Sequence, residues 1–147
     1  MKQAVVVLLF AGVLASSPSA ARADGNLEVH GTFTTSIVPC DTLCTHSIYM
    51  GDLIGTSDFT LISLESTQNP NVMRYKGNLV LHTAAGDLIG EDVGYWNLVN
   101  GVYNDVFQVM SGTGAYEGAT AVFHLHGNLD PGTGVGSSIY NGSIYLP

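Results

Sequence analysis

Positive charge is scarce in this 147-residue chain: four Lys and Arg stand against 12 Asp and Glu. An acidic surface of this kind repels phosphate backbones and anionic lipid heads, which makes nucleic acid and membrane surfaces poor partners. Cysteine is limited to Cys40 and Cys44, and Trp96 is the only tryptophan. No apolar run approaches the roughly 20 residues that a membrane-spanning helix needs. The longest runs from Ala4 to Ala15, and nothing after it repeats a helical apolar period between caps. Nucleophile signatures are missing too: there is no G-x-S-x-G, and no serine in an activating context. Gly112-Thr113-Gly114 is no phosphate loop, because no Lys follows and no helix begins there. Asn141-Gly142-Ser143 has the form of a glycosylation sequon, relevant only in a eukaryotic secretory route.

The ends of the chain carry an address. Lys2, the apolar run and the small-residue close Ala21-Arg22-Ala23 form a cleavable signal peptide, expected to occupy residues 1–23. Residues 24–147 are then the mature protein, a single domain, and the expected location is secreted or periplasmic. Cleavage removes Lys2 and Arg22, leaving Arg74 and Lys76 as the permanent cations.

Glycine, by contrast, is plentiful at 18 residues, and β-branched and aromatic residues gather in short alternating runs. In Leu27–Val38, Leu27, Val29, Phe33 and Ile37 share one face. In Val72–Thr83 the apolar face holds Met73, Tyr75, Leu79 and Leu81; in Ala119–Leu129 it holds Ala121, Phe123, Leu125 and Leu129. Further strands are expected at about 53–65, 87–98, 102–111 and 135–146. With seven or eight strands and no helix to cover an edge, closure removes the exposed edges. The expected fold is therefore all-β, a closed antiparallel eight-stranded barrel, preferred over a sandwich. Gly51-Asp52-Leu53-Ile54-Gly55 recurs as Gly86-Asp87-Leu88-Ile89-Gly90, which reads as two similar openings from turn into strand.

Cys40 and Cys44 would share an oxidising compartment after export, where a disulfide is expected. Extended chain would hold their Cα atoms about 13 Å apart, so the segment must curl into a turn. Pro39 and Asp41 suit one. A metal knot of Cys40, Cys44 and His46 lacks a fourth ligand at ordinary spacing.

Ser111-Gly112-Thr113-Gly114-Ala115-Tyr116-Glu117-Gly118-Ala119-Thr120 resembles the G-T-G-x-[FY]-x-G-A-T signature of the allene oxide cyclase and dirigent barrels. Gly86–Asp92, Gly127-Asn128-Leu129 and Gly132-Thr133-Gly134 resemble secreted bacterial members of that group. The likeness covers about residues 50–147; it leaves out the Cys40–Cys44 segment, and Ala121 stands where the family often has Gly. The resemblance implies a calycin-like eight-stranded barrel with an apolar cavity, often a homodimer or homotrimer. Some members close rings on reactive small molecules, and others orient ligands without chemistry. No catalytic motif of the plant cyclases is present to carry over.

Asp92 shares a strand face with Leu88, Gly90, Gly94, Trp96 and Leu98. A carboxyl among apolar side chains has its pKa raised, which suits a general acid or base. Gly90 and Gly94 would equally permit a bulge that turns Asp92 outward, and both orientations stay open. His124 and His126 point the same way and could chelate a metal with His30 or His82, but their neighbours assign them to the outside. No metal and no cofactor is expected.

Three readings follow. One is a barrel binding a small apolar ligand, with Trp96, Leu79, Leu81, Leu88 and Phe123 as its lining and Gly77, Gly90 and Gly94 making room. A second is a cofactor-independent cyclase or isomerase, with Asp92 and Tyr75 as catalytic groups. The third is a structural barrel with a filled core.

Overall fold

A computed structural model describes residues 25–147. The expected signal peptide and its cleavage site lie outside the described residues.

Eight strands follow one another: β1 (Gly25–Val38), β2 (Cys44–Gly51), β3 (Gly55–Ser66), β4 (Val72–Thr83), β5 (Gly86–Asn97), β6 (Val102–Gly112), β7 (Thr120–Leu129) and β8 (Val135–Leu146). A single 3-10 turn, Gly114–Tyr116, separates β6 from β7. Each strand pairs antiparallel with the next, and β8 returns to β1 from Gly25↔Leu146 to Ser36↔Val135. The barrel is thus closed and leaves no unpaired edge.

The strand not read individually from sequence is β2. Its inward positions are Ser47 and Tyr49, while Ile48 and Met50 face solvent, the reverse of an apolar-in pattern. Its placement follows from its partners: Phe33 of β1 pairs with Tyr49, and the two rings stack at 4.6 Å. The loop before it holds the Cys40–Cys44 disulfide, with Cα atoms 6.0 Å apart, so the segment does curl into a turn.

Two bulges set which residues face inward. In β3, Ile62 is the extra residue between Leu61↔Gly77 and Ser63↔Lys76. Beyond it the inward parity changes, so Leu64 rather than Ser63 follows Leu61 on the inner wall. In β6, Met110 is extra between Gly90↔Val109 and Ile89↔Ser111. Because this bulge sits on β6, the alternation of β5 is unbroken, and Leu88, Gly90, Asp92, Gly94 and Trp96 are all buried. Asp92 therefore points inward.

The interior divides along the barrel axis. At the end that carries the β2–β3 connection and the 3-10 turn, Leu81, Leu88, Phe107, Val109, Phe123 and Ile144 are almost completely buried. Leu53 of the β2–β3 connection plugs this end. Its N–H donates to the Tyr140 hydroxyl at 2.8 Å, and that hydroxyl donates to the Leu53 carbonyl at 3.3 Å. At the opposite end, beneath the disulfide loop, the interior is open.

Candidate functional site

The open half encloses a cavity of about 70 Å³. Since a buried water occupies about 10–15 Å³ on this measure, there is room for several waters or one small ligand. Leu43 of the disulfide loop and Leu64, 43% exposed, stand at its rim. Inside are six aromatic rings, those of Phe33, Tyr49, Phe59, Tyr75, Trp96 and Tyr103. Two carboxyl groups, Asp92 and Asp105, complete the wall at 4% and 7% exposure.

The register explains how these groups meet. Gly94 of β5 pairs with Tyr75 of β4 on one side and Asp105 of β6 on the other. A Cβ at Gly94 would run into the Asp105 side chain, so only glycine leaves the gap between Tyr75 and Asp105. Across it the Tyr75 hydroxyl donates to Asp105 Oδ2. The same device recurs on β7. Gly127 lies between Tyr103 and Ser138, a Cβ there would meet the Ser138 side chain, and the Tyr103 and Ser138 hydroxyls bond across it.

Glycine thus acts differently from the sequence expectation. Gly77, Gly90 and Gly94 do not face empty space: the Phe59 ring covers Gly77, and the β6 backbone presses on Gly90. They shape the wall by letting neighbours lie close against it.

Asp92 and Asp105 are diagonal neighbours on the inner face, since Asp92 pairs with Phe107 and Asp105 with Gly94. Burial pushes Asp92 up from the usual carboxylate range to about 7, and its hydrogen bond with Asp105 partly offsets that rise. Asp105 is raised well above its ordinary value, first by burial and then by the nearby Asp92 charge. Two adjacent buried carboxyls cannot both ionise cheaply, so near neutrality the pair retains a proton. Burial likewise raises Tyr49, Tyr75 and Tyr103, so each keeps its hydroxyl proton.

Most polar groups here are satisfied. Thr35 Oγ1 and Ser47 Oγ lie 2.9 Å apart, and the Trp96 indole N–H donates to the Leu129 carbonyl at 3.1 Å. The exceptions are Asp92 Oδ1 and Asp105 Oδ1, which are buried with no partner outside the carboxyl pair. Neither cation is inside: Arg74 lies 3.3 Å from Glu65 and Lys76 lies 2.8 Å from Glu91 on the outer wall.

Of the residues expected from sequence, Asp92, Tyr75, Trp96 and Leu79 line this cavity. Leu81, Leu88 and Phe123 face inward but lie in the closed half, away from it. The missed residues include Asp105, Tyr103, Tyr49 and Phe59. For Asp105 the signal was faint: β6 carries apolar residues on both parities, with Val102, Val106 and Met110 outside and Tyr103, Phe107 and Val109 inside. Only the larger rings of the second set mark the inner face.

The histidines stay on the outer wall. His46 contacts Asp58 at 2.8 Å, His82 contacts Asp87 at 2.9 Å, and His126 contacts Asn104 at 2.5 Å. Among the described residues no three His, Cys, Asp or Glu side chains converge as a metal site. Compared with known proteins, the chain matches no family model, no curated protein and no solved structure.

Proposed function

We propose that this protein is an exported barrel that binds a small, largely apolar molecule carrying a hydrogen-bond donor, in the open half of its interior. The observation that carries the reading is the pair of buried carboxyl oxygens, Asp92 Oδ1 and Asp105 Oδ1, with no partner outside the pair, in a cavity otherwise walled by aromatic rings, leucines and the hydroxyls of Thr35, Thr45 and Ser47. Leaving a buried acceptor unbonded costs about 1–3 kcal/mol, and a bound donor recovers it. The rings supply apolar contact, and Leu43 and Leu64 form the mouth. The disulfide loop at that mouth suits an oxidising compartment, secreted or periplasmic. Kinship with the allene oxide cyclase and dirigent barrels is part of this proposal and rests on the Gly112–Thr120 stretch.

Mass spectrometry of the protein purified from its native host under non-denaturing conditions tests the reading. A small molecule retained at about one per chain, and lost from Trp96→Ala or Asp105→Asn, supports it. Recovery of the empty protein, together with unchanged Trp96 fluorescence across a panel of small amphipathic compounds, overturns it.

A second reading, a cofactor-independent isomerase or cyclase, is favoured by Asp92. A carboxyl whose pKa is about 7 is matched to moving protons near neutral pH. Asp92 would accept a proton from ligand carbon and return it, with Tyr75 and Asp105 holding the ligand oxygen or nitrogen. The bound ligand would then exchange carbon-bound hydrogen with deuterated water, and Asp92→Asn would stop the exchange while leaving binding. A ligand recovered without deuterium excludes the chemistry and leaves the binding.

A further inference from the structure

We propose that the molecule taken by this cavity is a small primary amine, its ammonium seated between Asp92 and Asp105 and its apolar body among the rings. This inference rests on the ligand-binding reading and goes further by naming the ligand's chemistry. It begins with a count of donors and acceptors. Two buried oxygens, one on each carboxyl, have no partner outside the pair. The proton that the empty pair retains serves one of them, and a neutral hydroxyl adds one donor beside it. An ammonium offers three donors, enough for both oxygens once that proton has left, and supplies the charge that two ionised carboxylates need.

Charge points the same way. The described chain holds Arg74 and Lys76 as its only Lys or Arg, and both are committed to carboxylates on the outer wall. Two carboxyls are therefore buried with no cation of the protein's own beside them, an arrangement that a cationic guest completes. The formal charge of −8 draws cations toward the molecule and disfavours anionic ligands. Ring geometry adds to this. Phe33 and Tyr49 stack at 4.6 Å, and Phe59 meets Tyr75 edge-on at 5.9 Å, so the carboxyl pair sits in an aromatic enclosure. Ring faces attract cations, and more strongly where water is excluded. The cavity volume of about 70 Å³ limits the guest to a few heavy atoms within the barrel, with any longer body passing Leu64 at the rim.

Binding an ammonium also replaces the proton that the pair retains when empty. The groups facing the pair are Tyr75 from β4, Tyr103 beside Asp105 on β6, and Tyr49 from β2. All three keep their protons near neutral pH, so the release falls to the carboxyls alone.

The test is calorimetric titration of the exported protein near pH 7, with Trp96 fluorescence as a second readout. The compounds are butylamine and benzylamine, their neutral counterparts 1-butanol and benzyl alcohol, and benzyltrimethylammonium, which has charge but no N–H. The expected result is at least about tenfold tighter binding of an amine than of its alcohol, because charge-assisted hydrogen bonds are about twice as strong as neutral ones. The quaternary ion should bind more weakly than benzylamine. The binding heat should vary with buffer ionisation enthalpy, corresponding to release of about one proton. Asp92→Asn should erase the preference for amine over alcohol, weakening the amines at least about tenfold more than the alcohols. Alcohols binding as tightly as their amines would overturn the amine assignment and leave the ligand-binding reading standing. If none of the five compounds binds or perturbs Trp96, both readings fall.

Discussion

The two halves of the barrel are built from the same eight strands, yet they handle buried polarity in opposite ways. In the closed half the buried polar groups are Ser57, beside Leu81 and hydrogen-bonded to Tyr49, and the Tyr140 hydroxyl, which Leu53 satisfies with both its N–H and its carbonyl. In the same half Leu81, Leu88, Phe107, Phe123 and Ile144 are almost completely buried. The open half buries Thr35, Ser47, Asp92, Asp105 and Ser138, and leaves an oxygen on each carboxyl with no partner outside the pair. Close packing stabilises one end, and the other end gives up some of that stability to bury polar groups. Under the ligand-binding proposal those are the groups that a guest uses.

Cutting into each half should show the largest contrast. Leu88→Ala, at a position with no exposure, should cost about 2–5 kcal/mol in chemical denaturation, the range for a leucine in a close-packed core. Leu79→Ala, on the cavity wall, should cost clearly less, because its neighbours already border open space. Equal losses at the two sites would mean that the open half is packed as tightly as the closed one.

Next in size is the response to pH. The folded pKa of Asp92 lies above its unfolded value, so the folded state binds a proton that the unfolded state has released. Stability is therefore greatest at acidic pH and falls as pH rises from about 4 towards 7, then levels off. Asp105 is raised in the same direction and adds to the fall. Asp92→Asn should flatten this slope and stabilise the protein at pH 8 by about 1–3 kcal/mol, the usual penalty of a buried unsatisfied group. Thermal unfolding between pH 5 and pH 8 measures it. A wild type more stable at pH 8 than at pH 5 would contradict the buried carboxyl pair.

The smallest effect concerns Thr35 and Ser47, whose hydroxyls satisfy one another within the open half. Thr35→Val alone should cost about 1 kcal/mol, because it strands the serine. Adding Ser47→Ala should recover part of that loss, since replacing both partners costs less than orphaning one. A double-mutant cycle by denaturation measures the coupling, and strict additivity would mean that water already serves both groups.

Much of this architecture is legible residue by residue. The alternation of Val29 and Phe33, of Leu79 and Leu81, and of Phe123 and Leu125 marks the inner wall, and all six are buried. The absence of helices left closure as the means of hiding strand edges, and the chain closes. β2 was hard to read because its inner residues are Ser47 and Tyr49 and its outer ones Ile48 and Met50. Asp105 was missed because β6 is apolar on both parities.

The sequence by itself determined the fold class, the inward face of most strands and the turn that brings Cys40 to Cys44. These depend on side-chain period and short-range chain geometry, which a linear string contains. Tertiary structure alone decided three further things: that the β5–β6 bulge falls at Met110, that Gly94 leaves the gap between Tyr75 and Asp105, and that Leu88 lies at the packed end while Trp96 lies at the open one. Period states which face a residue occupies. Its depth along the barrel, and the side chain it meets two strands away, are set by the register of eight strands closing on one another. That register is a property of the closed sheet as a whole.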